Sequence, residues 1–160
     1  MKRLKGFTLI ELIVVIAIIA ILALVLVPNM VAYIVSSKYN TANNRAAIVY
    51  NSAATYCADY KASDKLPNGT AKALPSTLNG VTMTLNLSNV VSPATLQQHI
   101  EKELSSNILS ANYENTCCVV YIDANENVSR VLWAEDDDSS YVGAYPNPVD
   151  PDQPEFDKLP

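Results

Sequence analysis

The chain begins with an apolar run that is long enough to form a membrane-crossing helix. Residues 7–27 are almost all apolar, and Glu11 is the one charged residue among them. A helix of about 20 residues, at about 1.5 Å per residue, spans a hydrocarbon core of roughly 30 Å. The pattern therefore predicts a transmembrane segment over residues 7–27.

The residues around this run predict its orientation. Three basic residues, Lys2, Arg3 and Lys5, precede it. By the positive-inside rule the N-terminus then stays cytoplasmic, and the chain after Pro28 is extracytoplasmic. The run is longer than the apolar core of a secretory signal and lacks a convincing small-residue cleavage site, so we expect the segment to be retained.

After Pro28 the solid apolar run changes to a stripe with steps of three and four residues, which predicts one apolar face on a helix. No proline or glycine interrupts the pattern before Pro67 and Gly69. We therefore predict one helix from about Phe7 to about Lys61, on the order of 80 Å long. Its apolar stripe contains Val35, Tyr39, Ala42, Ala46, Val49, Ala53, Tyr56 and Tyr60.

The middle of the chain predicts a strand followed by a short helix. Residues 80–89 alternate between apolar and polar side chains, which indicates a half-buried strand. For the helix we predict Ser92 as the N-cap and Pro93 as the first helical residue. The predicted inward faces carry Val81, Met83, Leu85 and Leu87 on the strand, and Leu96, Ile100 and Leu104 on the helix. The only histidine, His99, lies beside the helical line and is interpreted as a surface residue.

The last third of the chain predicts a meander. The segments 116–123 and 128–135 flank a short polar turn and favour a hairpin, and residues 139–146 add a final edge strand. The proline-rich tail after residue 145 is not expected to be regular. The predicted fold is α+β, with a long N-terminal helix packed on a small antiparallel sheet.

A carboxylate inside an apolar run needs an explanation. On insertion scales such a group costs about 2.5 to 3.5 kcal/mol at the bilayer centre and less near the interface, so Glu11 could simply be tolerated. Alternatively, cleavage between Gly6 and Phe7 would create a new α-amino group. The amine of Phe7 in a neighbouring chain could then neutralise Glu11 inside a helical bundle.

The stretch "KGFTLIELIVVIAIIAIL" resembles the N-terminus of the type IV pilin family. The resemblance implies cleavage after Gly6 by a prepilin peptidase, N-methylation of Phe7, and contact between Glu11 and the Phe7 amine of an adjacent subunit. It also implies that Pro28 bends the helix, and that the fold is pilin-like. The implied organisation is a leader over 1–6, a helix over 7–61 and a globular head over 62–160.

The three cysteines could form one disulfide bond. Cys57 lies on the apolar side of the long helix, whereas Cys117 and Cys118 are neighbours on a strand and point to opposite faces. Cys118 shares its face with Val120 and Ile122, so Cys57 to Cys118 is the preferred pairing and Cys57 to Cys117 follows closely. Closing a loop of about 60 residues would contribute on the order of 4 kcal/mol. The alternative is that all three are reduced, buried thiols.

Charge limits the remaining chemistry. The run from Glu135 to Asp138 makes Asp136, Asp137 and Asp138 weak calcium candidates, although an acidic run is usually a solvated turn. The net charge is -5, and loss of the three basic residues of the leader would make it about -8. Direct nucleic-acid binding by the head is therefore not expected. The sequence contains no phosphate-binding glycine loop, zinc motif or nucleophile elbow, and no cofactor is expected.

These features predict a structural subunit, not an enzyme. Its expected partners are copies of itself and other pilins, the prepilin peptidase, the pilus assembly machinery, and the membrane before assembly. After assembly the location would be a cell-surface filament. Two alternatives remain open, namely a pseudopilin of a secretion system and an uncleaved single-pass membrane protein that displays an adhesive head.

Overall fold

The computed structural model describes residues 7–65, 69, 71–85, 95–107, 116–136 and 139–152. The elements form an α+β fold, as predicted. In chain order they are helix α1 (Leu9–Ala62), a short 3-10 helix (Pro75–Leu78), strand β1 (Thr82–Thr84), helix α2 (Leu96–Asn107) and strands β2 (Cys117–Ile122), β3 (Val128–Ala134) and β4 (Val142–Tyr145). The chain divides into two compact units, Met1–Ser37 and Lys38–Pro160, which we describe separately.

The first unit contains the N-terminal part of α1. Every residue from Phe7 to Ile34 is exposed, although most of them are large and apolar. The helix continues across Pro28, whose ring removes one backbone donor. Next to it, the side-chain amide of Asn29 donates a hydrogen bond to the carbonyl oxygen of Val25 at 3.2 Å. This part of α1 is thus one continuous helix in which no residue from Phe7 to Ile34 is buried, and the bend at Pro28 stays a prediction.

The second unit, Lys38–Pro160, includes the rest of α1 as well as the residues predicted as the head, and we call this whole unit the head from here on. Within it, α1 contributes a buried face. The small Ala42 allows Gly143 of β4 to approach the helix backbone closely, and the ring of Tyr39 packs on that of Tyr141.

The stripe prediction is correct at most positions, but Val35 and Tyr60 are only half-buried, and Ser52, which is not a member of the predicted stripe, is 4% exposed. The buried residues of α1 are Tyr39, Ala42, Ala46, Val49, Ser52, Ala53, Tyr56 and Cys57.

The four strands form one antiparallel sheet in the order β1-β2-β3-β4. The predicted hairpin is confirmed, since β2 pairs with β3 and Cys118 lies opposite Trp133. The predicted edge strand is confirmed as β4. One sheet face packs against the buried residues of both helices through Met83, Cys118, Val120, Val131 and Trp133, and the opposite face is also buried at Cys117, Val119, Leu132 and Ala134.

Helix α2 begins later than the sequence pattern indicates. Ser92 and Pro93 lie outside the described residues, and the helix starts at Leu96. Thr95 is its N-cap, because the Thr95 hydroxyl accepts a hydrogen bond from the amide of Gln98 at 3.2 Å, and the Gln98 side chain accepts one from the Thr95 amide at 3.4 Å. This reciprocal pair is a capping box. The apolar line of the helix is as predicted, with Leu96, Ile100 and Leu104 all buried.

Strand β1 is shorter than predicted. Within the described part of the segment, residues 80–85, the residues that pair with β2 are 82–84. Met83 and Leu85 are buried, but Val81, predicted on the same face, is 46% exposed. Leu87 lies outside the described residues.

A single side chain of α1 holds the last strand in place. The side-chain oxygen of Asn43 accepts hydrogen bonds from the amides of Ala144 at 2.9 Å and Val149 at 3.0 Å. Its side-chain nitrogen donates to the carbonyl oxygen of Val149 at 2.9 Å. Three main-chain groups of β4 and the segment after it are therefore satisfied by one amide.

Candidate functional site

The start of α1 is organised around Glu11. One carboxylate oxygen of Glu11 accepts hydrogen bonds from both the amide and the hydroxyl of Thr8, each at 2.9 Å. The Thr8 hydroxyl in turn accepts one from the Glu11 amide at 3.3 Å. This is a capping box of the form T-x-x-E, in which side chains satisfy donors that a helix start leaves without intrahelical partners. Glu11 therefore has a local role in the single chain before any contact with another molecule.

The sequence interpretation of Glu11 overlooked Thr8. The signal was present, because a threonine followed three residues later by a glutamate ahead of an apolar run is the usual sign of a helix N-terminus. The structure brings Thr8 and Glu11 together and leaves Phe7 82% exposed. Gly6, the predicted cleavage residue, lies outside the described residues. Cleavage, methylation and contact between subunits stay predictions.

The apolar part of α1 has the properties of a membrane-spanning helix. It contains an 18-residue window with a mean hydropathy of 3.4, and none of that window is buried inside the chain. By length and composition the helix can cross a membrane. An apolar surface of this size requires an apolar environment, which a bilayer or a bundle of similar helices would provide.

The structure joins none of the three cysteines in a disulfide bond, and all three side chains are buried. Cys57 and Cys118 both belong to the core between the helices and the sheet, whereas Cys117 lies on the opposite sheet face, with its sulfur 3.8 Å from the Thr84 hydroxyl. Burial is the main cause that raises the pKa of each of the two core thiols. Such thiols are poor nucleophiles at neutral pH.

The two core thiols have different charged neighbours. After burial, Glu126 and Asp123 in the β2–β3 turn raise the pKa of Cys57, which reaches about 11 even though Lys61 lowers it. For Cys118 the neighbours are Cys117 and Glu101. The structure contains no disulfide bond between these cysteines. The pairing of Cys57 with Cys118 or Cys117 stays a prediction.

The acidic run adds little to the site. Asp136 is exposed, and Asp137 and Asp138 lie outside the described residues, so the calcium prediction stays a prediction. Within the described part of the chain, no group of three or more histidine, cysteine, aspartate or glutamate side chains is placed to hold a metal ion.

The comparisons with known proteins give a match at the N-terminus of the chain. Residues 1–27 match a family model described as the prokaryotic N-terminal methylation motif. Comparison with curated proteins and with solved structures gives no match for the chain. The chain therefore carries the signature of type IV pilins and pseudopilins, and its long apolar helix and small antiparallel sheet form a pilin-like α+β fold.

Proposed function

We propose that this protein is a structural subunit of a type IV pilus-like filament. In this proposal the chain is cleaved after Gly6 and polymerises through the apolar part of α1. The observation that carries the proposal is that every residue from Phe7 to Ile34 is exposed in a segment that begins with the N-terminal methylation motif. Such a surface has two suitable environments, lipid before assembly and neighbouring helices afterwards.

The driving force for assembly would differ from that of folding in water. Lipid tails are as apolar as leucine, so moving α1 from a membrane into a helical bundle brings little hydrophobic gain. Close packing and polar contacts must therefore supply the free energy. An ammonium group at Phe7 of an adjacent subunit, paired with Glu11 in apolar surroundings, would be one such contact and would set the register between subunits.

The capping box suggests how the Glu11 carboxylate is satisfied in the single chain before it meets the ammonium group of an adjacent subunit. In the single chain its carboxylate is bonded to the Thr8 amide and hydroxyl. These bonds occupy one carboxylate oxygen, and an incoming ammonium group could bind the other. Glu11 would then act first as a helix cap and later as a contact between subunits.

The proposed partners and locations follow from this role. Prepilin peptidase would remove the leader, and the assembly machinery would transfer the subunit from the membrane to a surface filament of the same and other pilins. The head would coat the filament. The net charge of the cleaved chain, about -8, disfavours direct binding of the head to nucleic acid. A structural role without catalysis is proposed for the whole chain.

The direct test is the N-terminus and mass of protein sheared from the surface of the native host. We expect a chain that begins at Phe7 and carries an added methyl group. A chain that retains Met1 to Gly6 and is found only in membranes would overturn the proposal and favour an uncleaved display protein.

A variant pair tests the role of Glu11. Glu11→Gln keeps the shape of the side chain but removes the charge, so it should insert in the membrane normally and enter filaments poorly. Leu12→Ile, a neutral change at the next position, should assemble as the native chain does. Normal filament yield from Glu11→Gln would contradict the proposed pairing.

A further inference from the structure

Two pairs of tyrosines join α1 to the two ends of β4. Tyr39 on α1 packs against Tyr141, which directly precedes β4. Tyr50 on α1 packs against Tyr145, the last residue of the strand. The ring centroids lie 5.3 Å apart in the first pair and 4.9 Å apart in the second. The last strand is therefore held against the helix by aromatic rings at each of its ends.

The hydroxyl groups distinguish these pairs from ordinary packing of rings. The chain contains nine tyrosines and only two phenylalanines, so its aromatic contacts are built mainly from phenols, although a phenyl ring fills the same space. A phenol can release an electron and a proton and become a neutral radical, which a phenyl ring cannot. Two such radicals held in contact join through their ring carbons. The tyrosine pairs are therefore the candidates for a covalent bond between α1 and β4.

The pair of Tyr50 and Tyr145 is the better placed for this reaction. Both side chains are half-buried, so a small oxidant can reach the rings from solvent while the surrounding protein holds them. The ring planes are tilted by 60°, and at a centroid distance of 4.9 Å the two rings touch. The Tyr50 hydroxyl donates a hydrogen bond to the carbonyl oxygen of Val128 at 3.2 Å, which restricts the motion of that ring. Proximity of this kind favours reaction between the two rings over reaction with another molecule.

The pair of Tyr39 and Tyr141 differs in three respects that disfavour the reaction. Tyr39 is only 6% exposed, so an oxidant has little access to its ring. The two ring planes stand at 78°, which directs an edge of one ring at the face of the other. The ammonium group of Lys38 also lies 4.7 Å from the centre of the Tyr141 ring. A cation at that position attracts the electrons of the ring and makes one of them harder to remove.

We propose that Tyr50 and Tyr145 are a cross-linking site, at which a one-electron oxidant joins α1 to β4 through a dityrosine bond. Each phenol loses one electron to the oxidant and its hydroxyl proton to water, and the two radicals form a carbon–carbon bond between ring carbons next to the hydroxyl groups. The hydrogen on each of these carbons then moves to the oxygen, which restores both phenols. With a peroxidase as the oxidant, hydrogen peroxide takes up the two electrons and two protons and becomes water. The product contains two hydrogen atoms fewer than the native chain.

The bond would lock the last strand to the helix. It closes a loop of about 95 residues, and a cross-link of that span stabilises the folded state mainly by limiting the unfolded chain. An oxidising exterior, where we expect the head, permits such chemistry. The cross-link lies within the head of a single chain and does not depend on filament assembly.

The test oxidises the full-length chain in detergent micelles with a ruthenium tris-bipyridine photo-oxidant and persulfate. A low protein concentration favours reaction within a chain over reaction between chains. We expect a monomeric product that is lighter by two hydrogen atoms and has the blue fluorescence of dityrosine. Digestion should yield one pair of joined peptides, which contain Tyr50 and Tyr145. The product should also unfold at a higher temperature than the untreated chain.

Two substitutions separate this site from the rest of the chain. Tyr50→Phe and Tyr145→Phe keep the rings, and each should lower the yield of cross-linked monomer about tenfold or more. Tyr145→Phe leaves the hydrogen bond from Tyr50 to Val128 in place, so it tests the chemistry without disturbing that contact. Tyr141→Phe is the matched control and should cross-link as the native chain does. The fluorescence of Trp133 before oxidation shows whether each variant is folded.

Three results would overturn the proposal. The first is a yield of cross-linked monomer that Tyr50→Phe and Tyr145→Phe leave unchanged. The second is a bond between Tyr39 and Tyr141 as the main product. The third is the absence of any cross-linked monomer, with or without bonds between chains, since it would show that no pair within the head reacts.

Discussion

Gly143 on β4 lies directly against the backbone of Ala42 on α1. A Cβ atom at position 143 would overlap the carbonyl carbon and oxygen of Ala42 and the amide nitrogen of Asn43. All three are backbone atoms, which cannot move aside as the end of a flexible side chain can. The absence of a side chain at Gly143 is therefore what allows the last strand to pack on the helix.

Gly143→Ala should destabilise the head. Overpacking usually costs about 1 to 3 kcal/mol, and because the clash is with backbone we expect about 3 kcal/mol or more. The matching fall in Tm would be roughly 10 °C for a unit of this size. The measurement is thermal unfolding of the full chain in detergent, followed by the fluorescence of Trp133, the only tryptophan.

Gly80→Ala is the control for this prediction. Gly80 has a φ of +70°, but a Cβ there would meet only the Tyr121 ring at ordinary contact distance. The expected cost is therefore conformational and about 1 kcal/mol. Equal losses in the two variants would show that steric overlap at Gly143 is not the dominant effect.

Asn43→Ala should loosen β4 selectively. The variant removes one donor and one shared acceptor, leaving three main-chain groups without their side-chain partner, at an expected total cost of about 2 to 4 kcal/mol. Hydrogen exchange should accelerate first at the amides of Ala144 and Val149. The neighbouring exposed residue provides the control, since Asn44→Ala should leave exchange unchanged. Uniform acceleration of exchange over the whole sheet would contradict a local stabilisation of β4 by Asn43.

Thr8→Val should open the first turn of α1. Valine keeps the branched shape but lacks the hydroxyl that donates to Glu11 and accepts from its amide. Losing a cap costs about 1 kcal/mol, which corresponds to roughly fivefold faster exchange of the first-turn amides. Thr8→Ser retains the hydroxyl and should exchange at the native rate. Hydrogen exchange in micelles, detected by mass, measures the exchange rate of the first-turn amides in both variants. Identical rates in the two variants would show that the Thr8 hydroxyl does not stabilise the start of the helix.

The buried thiols should react slowly until the head unfolds. With its pKa raised to about 11, Cys57 is ionised at pH 8 in only about one molecule in a thousand. We expect alkylation in native conditions to be far slower than in denaturant. Because the structure forms no disulfide bond between the cysteines, it predicts three labels per denatured, unreduced chain. A single label would instead establish one disulfide bond, and mapping the labelled cysteine would identify its members.

Cys57 should also make stability fall at high pH. The folded state keeps the thiol proton above the pH at which the unfolded chain loses it, near 8.5. Its contribution to the free energy of unfolding is thus complete below about pH 8.5 and is lost as the pH rises toward about 11. Urea unfolding of the native chain and of Cys57→Ala, compared across this range, isolates the effect. If the free energies of unfolding of the two proteins fall in parallel as the pH rises, Cys57 is not the cause of the loss.

The long helix, the hairpin and the edge strand could be predicted because each follows from a repeat within its own segment. Ser52 could not, because its burial depends on α2 packing beside it, and the periodicity of one helix does not contain that information. The same reason applies to His99, which is half-buried, not on the surface as its position beside the helical line indicated. Ser52 and His99 both lie at the cleft between α1 and α2, and that cleft exists only when the two helices are placed together.

Helix caps show a different limit. Ser92 and Thr95 are both good N-cap residues within three positions of each other. The choice depends on Gln98, whose side chain reaches back to the Thr95 amide. At the start of α1 the spacing of Thr8 and Glu11 alone predicts the corresponding capping box.

The hydrogen bonds of Asn43 also constrain how the protein is made. Their partners follow Asn43 by 101 and 106 residues. Contacts of such large sequence separation form slowly, because the intervening chain must first be ordered. During synthesis α1 is made first, and it cannot complete its packing until β4 has been made. A chain whose synthesis stops before Val142 would therefore leave Asn43 without its partners and the face of α1 around it uncovered.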